Sequence, residues 1–413
     1  MKAFMLQKEQ IIVGLEVGTS KVCAVVGEAM ADGNIMIIGV GQSKSEGVRK
    51  GEIVDVDAAG QSIHRAVADA EESASVEIRN VYASVTGGHI RCFNNRGSVV
   101  ITHEDRQITE EEVRTVLLNA KAVNIPVDHV VVHAIRQHFF VDSQDGIQNP
   151  VGMIGTKLEA DVHVIYGVRN RLLNTINCIK RVPLDVANIA VSGFASALAV
   201  LTSEHQQLGA VVIDIGGGTT DYIVYQGGTI QFSSVLAVGG DHVTNDVATG
   251  LKIPMNRAEM LKIEHGSVEV PPQDEMINLK REIGLPDRQV SKQQLCRIMN
   301  LRVEETLTLV KKELEKHKLL EYIGAGVFIT GGCARLTGLA PLASRVFGVP
   351  VHIGHSHMVN GPTSAIESPE YSTAIGLVRY ALGSQRENHQ RPSPRERLGQ
   401  AFHHLVQKVR TLM

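Results

Sequence analysis

Val211-Val212-Ile213-Asp214-Ile215-Gly216-Gly217-Gly218-Thr219-Thr220-Asp221 is an apolar, β-branched run that ends in a carboxylate, three glycines, two hydroxyls and a second carboxylate. Tyr222-Ile223-Val224-Tyr225 follows and reads as another strand. A strand–glycine turn–strand unit can aim several backbone N–H groups at one point, because glycine accepts positive φ and has no Cβ to block a ligand. Such a nest suits phosphate, and the flanking aspartates suit a hydrated Mg²⁺, which prefers oxygen ligands and keeps several waters. A tight hairpin without a ligand gives the same local pattern.

Ile12-Val13-Gly14-Leu15-Glu16-Val17-Gly18-Thr19-Ser20-Lys21-Val22-Cys23-Ala24-Val25-Val26 nearly repeats the unit. Glu16 corresponds to Asp214 and Gly18 to Gly216, and Lys21 adds a cation that can meet a phosphate. Two such units predict a duplicated fold with a cleft between its halves; two unrelated hairpins are the alternative. A third element, Gly326-Val327-Phe328-Ile329-Thr330-Gly331-Gly332-Cys333-Ala334-Arg335-Leu336, places two glycines at the end of a buried strand, where backbone can approach a flat ring or a phosphate. Any parallel α/β connection can carry such a pair.

Outward from these turns, Val54 to Ser73 carries Ile63, Val67 and Ala70 at helical period. The segment from Thr86 to about Val162 reads as an insertion with strands at Ser98–Ile101, Val130–Val141 and Leu158–Tyr166. Its helix, Thr109–Val123, opens with the capping-box spacing Thr109-x-x-Glu112. Arg169 to Arg181 reads as a helix and Val186 to Ile189 as a strand. The small residues of Ser192 to Leu201 allow close helix packing. Glu259 and Lys262 lie three apart on one helical face, a spacing that also suits a surface ion pair. Pro271 to Asp287 reads as irregular. Ser291 to His317 reads as a long amphipathic helix, and Tyr371 to Leu382 as a last helix.

From Gly383 to Glu396 the composition shifts to polar residues and proline, as in a flexible tether. Beyond it, Leu398, Phe402, Leu405, Val406, Val409, Leu412 and Met413 fall within an arc of about 120° at helical period. Arg397, Lys408 and Arg410 lie on the flanks and far side. A basic amphipathic helix on a tether reads as a membrane-surface anchor; a terminal helix docked on its own core is the alternative.

The chain has 413 residues, enough for about two to four domains. It lacks Trp, has 4% aromatic residues and carries a formal net charge of −3, which argues against base stacking and against a basic nucleic-acid binder. Five scattered cysteines without a C-x-x-C pair fit reduced thiols in the cytoplasm. Met1 to Gln10 is too short and polar to read as a signal peptide, and no run of about 18 apolar residues spans a membrane. There is no P-loop, no complete dinucleotide fingerprint at Gly39-Val40-Gly41 and no Gly-x-Ser-x-Gly elbow. His352, His355 and His357 read as a solvated loop rather than a metal site, and His129 and His133 as packing residues.

The ordered set of glycine elements at 15–21, 213–221 and 329–339, with Ser192–Leu201 and Ser372–Leu377, resembles the signature segments of the actin/Hsp70/sugar-kinase ATPase superfamily. Within it, nearly the whole chain resembles the FtsA family of bacterial cell-division proteins. The most specific parts are Gly14–Thr19, Asp214–Thr219, the insertion and the tethered tail.

The resemblance implies an α/β, actin-like, two-lobed ATPase fold made of duplicated ribonuclease-H-like domains. Lobe 1 would comprise 8–85, 163–206 and 355–382, with an inserted subdomain at 86–162. Lobe 2 would comprise 207–240 and 324–354, with a subdomain at 241–323. A linker at 383–396 and an amphipathic helix at 397–413 would follow. The cofactors implied are ATP and Mg²⁺. Gly18, Thr19, Ser20 and Lys21 from one lobe, and Gly216, Gly217, Gly218 and Thr219 from the other, would hold the phosphates. Asp214 would orient the metal's water shell or the attacking water, with Glu16 opposite. Glu259 and Lys262 would sit near ribose and base, Gly331 and Gly332 near adenine. Many superfamily members have Asp where this chain has Glu16, so at most slow hydrolysis is expected.

The implied function is a scaffold on the cytoplasmic face of the inner membrane at the septum. It would self-associate like actin, bind the C-terminal peptide of the tubulin-like FtsZ, with Arg302 and Lys311 as candidate contacts, hold anionic lipids and recruit later division proteins. An actin-like adaptor of a pilus or secretion machine is the nearest alternative, followed by a sugar or acetate kinase and a chaperone-like ATPase. No catalytic base outside the phosphate turns and no β-rich peptide-binding domain supports the last two.

Overall fold

The computed structural model describes residues 11–30, 33–279, 288–357 and 359–389. Strands β1 (Ile11–Val17), β2 (Lys21–Ala29) and β3 (Ile35–Lys44) form an antiparallel meander of mostly buried Val, Ile, Ala and Cys. A short hairpin, β4 (Val48–Arg49) and β5 (Glu52–Ile53), leads into α1 (Val56–Ala74). The Asp55 carboxylate caps α1 by accepting from the N–H groups of Asp57 and Ala58. Ile63, Ala66, Val67 and Ala70 then pack on the sheet. β6 (Asn80–Val85) pairs parallel with β1.

After Val85 the chain leaves this sheet and builds another. It consists of β7 (Arg91–Val100), α2 (Glu110–Lys121), β8 (His129–Val141), β9 (Gln144–Ile147) and β10 (Lys157–Val168). The strands lie antiparallel in the order β7-β10-β8-β9. Thr109 and Glu112 form the capping box that starts α2. β10 continues through the expected boundary at 162, because Val162, His163, Val164 and Ile165 are all buried. Then α3 (Arg169–Arg181), β11 (Asp185–Val191), α4 (Ser192–Val200) and α5 (Ser203–Leu208) return to and cross the first lobe, β11 pairing parallel with β6.

The second lobe opens with β12 (Ala210–Ile215), β13 (Thr220–Gln226) and β14 (Thr229–Leu236), followed by α6 (Gly240–Leu251) and α7 (Met255–His265). The stretch expected to be irregular contains β15 (Met276–Leu279), which pairs with β16 (Arg288–Ser291) ahead of α8 (Lys292–Lys316). Ile277 and Val290 give this ribbon its buried face. β17 (Gly326–Thr330), α9 (Leu339–Phe347) and β18 (Val351–Ile353) complete the lobe. β19 (Val359–Asn360) rejoins the first sheet beside β3, and α10 (Thr363–Ile366) and α11 (Ser372–His389) end the described chain.

The sheet orders establish the duplication. Lobe 1 reads β11-β6-β1-β2-β3-β19 and lobe 2 reads β14-β13-β12-β17-β18. In each, an antiparallel meander of three strands is extended, beside its first strand, by two parallel strands. Parallel strands need crossover helices, so both faces are covered at the sheet centres, where β12 and β17 are buried along their whole length. α4 and α11 lie between the two sheets in one apolar cluster that includes Ile12 and Val25 from lobe 1 and Val212 and Ile223 from lobe 2.

That central pair is tight. A Cβ at Gly376 of α11 would lie 1.8 Å from the Ala195 carbonyl oxygen of α4. Gly376→Val is therefore expected to lower stability by about 3 kcal/mol, the upper range for overpacking. Calorimetric unfolding reads this directly, and an unchanged melting temperature would refute the packing argument. α11 also corrects the expected tether at 383–396. Gly383 lies inside the helix with open space around it, so its cost is only the roughly 1 kcal/mol of glycine in a helix. The remainder of that tether, 390–396, and the amphipathic segment 397–413 fall outside the described residues.

Candidate nucleotide cleft between the lobes

Both glycine turns are two-residue hairpins. Gly18 N–H donates to Lys21 O at 3.0 Å, leaving Thr19 and Ser20 at one tip. Gly216 N–H donates to Thr219 O at 2.9 Å, leaving Gly217 and Gly218 at the other. The tips meet across the lobes. A Cβ on Gly217 would lie 2.9 Å from Ser20 Cβ, and one on Gly218 would lie 2.4 Å from Thr19 Oγ1. Gly51 N–H, at the tip of the β4–β5 hairpin, donates to Thr19 Oγ1 at 2.9 Å and braces the first turn.

A cleft of about 640 Å³ opens at these tips. It brings together Glu16, Gly18, Thr19, Ser20 and Lys21 of lobe 1 with Asp214, Gly216, Gly217, Gly218, Thr219, Glu259, Lys262, Gly331 and Gly332 of lobe 2. Residues far apart in sequence thus share one wall, within the size range of small-molecule sites. Gly331 has φ +84°, and a Cβ there would strike Asp214 Oδ1, so the third element needs glycine at this position.

The floor is acidic but internally satisfied. Glu16 accepts from Lys21 Nζ at 2.9 Å. Burial pushes the Glu16 carboxyl above its usual range, although Lys21 pulls it back. Burial works against the Lys21 charge, yet Glu16 holds the ammonium above its ordinary value. Asp214 Oδ2 accepts from Ser196 Oγ at 2.5 Å and from Thr373 Oγ1 at 2.9 Å, and burial raises its pKa against those donors. Asp221 accepts from Thr86 Oγ1 at 2.7 and 2.8 Å. Burial, then the nearby Asp214 charge, pushes it up to about 7.

Glu259 and Lys262 are cleft residues, with Lys262 buried. Lys262 Nζ reaches Glu259 at 2.6 Å and donates to Thr244 Oγ1 at 2.8 Å and Gly240 O at 3.3 Å; the Thr244 hydroxyl donates to Glu259. Arg335 and Glu370 pair across the lobes at the cleft's back.

Sequence reasoning missed Thr86, Ser196, Asp241, Glu370 and Thr373, and read Asp221 only as one of two flanking carboxylates suited to a hydrated cation. Ser196 and Thr373 sit in segments valued for small size alone; a hydroxyl within each helix-packing run was the available signal. Arg302 and Lys311, the candidate partner contacts, lie on different faces of α8. Nine residues of helix place them about 180° apart. Arg302 pairs with Asp246 of α6 and with Glu305, and Lys311 lies 3.6 Å from Glu315. His133 and His129 are packing residues: His133 Nε2 accepts from Val191 N–H at 3.1 Å, and His129 lies against Tyr166.

These residues fit a nucleotide with a hydrated cation better than a directly ligated metal. Each floor carboxylate already has a partner, and among the described residues no group of three or more His, Cys, Asp or Glu gathers to hold a metal ion. Mg²⁺ that keeps its waters needs acceptors for that water shell, which Glu16 and Asp214 would supply.

The family model for cell division protein FtsA matches residues 211–376, and the model for the SHS2 domain inserted in FtsA matches 87–166. The cell division protein FtsA of Pseudomonas aeruginosa is 38% identical over 384 residues, covering 92% of each chain. This chain belongs to the FtsA family of cell division proteins. Its fold is that of actin-like ATPases. A PilM–PilN type IV pilus biogenesis complex chain aligns with TM-score 0.65 at 16% identity, covering 90% of this chain and 98% of its own. MreB5 of Spiroplasma citri bound to ADP aligns at 0.55 and 16% identity, covering 94% and 100%. Among the described residues of this FtsA-family chain, no helix is long and apolar enough to cross a membrane.

Proposed function

We propose that this FtsA-family chain is a division scaffold that binds Mg-ATP in the interlobe cleft, self-associates like actin and tethers FtsZ filaments to the cytoplasmic face of the inner membrane at the septum. The observation that carries the reading is the convergence of three glycine elements, two of them from one duplicated motif, on a single cleft with an acidic floor. Backbone N–H groups at the turn tips, 19–20 and 217–218, would face the phosphates, with Gly18 and Gly216 closing the turns, Thr219 beside them and Lys21 as cation. Asp214 and Glu16 would accept from the cation's water shell, and Asp214 is the one candidate for orienting an attacking water. Glu259 and Lys262 would flank the ribose and base, Gly331 and Gly332 the adenine. When bound, Mg²⁺ would neutralise phosphate charge. The carboxylates that would meet it are engaged by Lys21, Ser196 and Thr373, which favours stable binding over fast turnover, so any ATPase activity would be slow.

The basic amphipathic segment 397–413 would supply the membrane contact through Leu398, Phe402, Leu405, Val406, Val409 and Leu412, with Arg397, Lys408 and Arg410 toward anionic headgroups. Co-sedimentation of the full chain with anionic liposomes and FtsZ filaments tests the tether. Filaments are expected to pellet with liposomes only when the chain is present. Phe402→Glu, which puts a charge into the apolar arc, is expected to leave the chain in the supernatant. Unchanged liposome binding of that variant would remove the anchor from the proposal. A pilus adaptor would bind liposomes or partners without carrying FtsZ.

A further inference from the structure

The inserted sheet is spliced into lobe 1, where His133 accepts from Val191 N–H, and rests on lobe 2 as well. Its support on lobe 2 is β14. Gln137 Nε2 donates to Ile230 O at 2.5 Å, and Asn94 Nδ2 donates to Gln231 O at 3.0 Å. His138 Nε2 lies 3.0 Å from Thr229 Oγ1, and the buried His163 lies 2.8 Å from Ser233 Oγ. β14 is the second strand of a hairpin whose first strand, β13, begins at the glycine turn 216–219 and carries Asp221 into the cleft. Asp221 and Val235 are paired in its register. One hairpin therefore holds a cleft carboxylate at one place and the seat of the insertion along its edge.

The same carboxylate touches the other end of the insertion. Thr86 is the first residue after β6, where the chain departs for the inserted sheet, and its hydroxyl donates to both Asp221 oxygens. A Cβ on Gly51 would lie 2.5 Å from Thr86 Cγ2, so the β4–β5 tip holds Thr86 in place. Thr86 and Asp221 both line the cleft. A ligand whose oxygens or waters compete for the Thr86 hydroxyl changes the bond that fixes the start of the insertion. One that moves the 216–219 turn moves the hairpin that seats its body.

We propose that Thr86 is a positioning residue that, through Asp221 and the β13–β14 hairpin, makes the orientation of the inserted domain depend on occupancy of the cleft. This rests on the nucleotide reading above and adds regulation of that site. Packed interfaces of this kind have discrete arrangements, so a ligand that prefers one shifts the population.

Hydrogen exchange read by mass spectrometry on the full chain, with and without Mg-ATP, tests this beside calorimetric ATP affinity. In the native chain and in Thr86→Ser, Mg-ATP is expected to change exchange by about fivefold or more in peptides covering 91–100, 160–168 and 229–236. Thr86→Val removes a hydroxyl from the cleft wall, so its exchange is read at a Mg-ATP concentration that calorimetry shows to saturate it. It should keep the change at 16–21 and 214–220 and lose it in the insertion. Ser233→Ala, which cuts the far end, is expected to lose the change at 91–100 and 160–168 only. An insertion that responds equally in Thr86→Val, or a native chain whose response is confined to the cleft, overturns the proposal and leaves ATP binding standing. A native chain that binds no ATP overturns both.

Discussion

Gly218→Val is expected to weaken nucleotide binding about 100-fold, since each 1.4 kcal/mol is tenfold and overpacking costs about 1–3 kcal/mol. The new Cβ would lie 2.4 Å from Thr19 Oγ1 and 2.8 Å from Lys50 Cα. The hydroxyl can rotate away, but the Lys50 backbone belongs to the hairpin that braces Thr19 through Gly51 and cannot. The two turns must separate, and N–H groups aimed at one point then diverge. Gly60→Ala is the control. Gly60 lies in α1 with open space around it, so alanine there leaves affinity unchanged and adds about 1 kcal/mol of helix propensity. Calorimetry with Mg-ATP and a thermal melt separate the two effects. Native affinity in Gly218→Val would mean that the phosphates lie elsewhere.

Acidification is expected to loosen the inserted domain well before the acid limit of ordinary carboxylates. His133, on β8, takes a hydrogen bond from Val191 of lobe 1, and His163, on β10, bridges Asn94 and Ser233. Burial depresses His133 to about 4, and burial together with the neighbouring His133 depresses His163 to about 4. In the unfolded chain each takes its proton near 6.5, so the unfolded state binds more protons between pH 6.5 and 4. The stabilisation from neutral burial is therefore complete above about pH 6.5 and is lost as pH falls toward 4. The stabilisation lost amounts to roughly 3 kcal/mol per histidine. Melting temperature measured from pH 7.5 to 4.5 should fall steeply, with the loss sensed first in the insertion. His163→Gln keeps a neutral donor and acceptor and should flatten that slope. A variant with the native pH profile would exclude His163 as the titrating group.

The two phosphate turns were legible because their cause is local: β-branched runs, then a carboxylate, then glycine, repeated in order. Nothing local announces that Thr86 will meet Asp221, 135 residues away. Ser196 and Thr373 read as small packing residues until α4 and α11 bring both hydroxyls onto one Asp214 oxygen. That Arg302 and Lys311 face different ways was readable in the sequence, since nine residues of α-helix amount to two and a half turns. The extent of α11 was hidden differently. Ser384, Gln385 and their polar neighbours read as a tether, yet such residues continue an exposed helix at little cost. The seat of the insertion on β14 arises from edge pairing between distant strands, which no periodicity records.

Helix α11 begins at Ser372 and Thr373, one of whose hydroxyls holds Asp214, and runs to His389. At 1.5 Å per residue it is a rod of about 27 Å. Its first third is clamped, Gly376 against Ala195, with no slack for a side chain. Any tension on the chain beyond His389 is thus delivered along a stiff lever whose near end grips the cleft carboxylate. Mechanical load and ligand chemistry bear on the same hydroxyl.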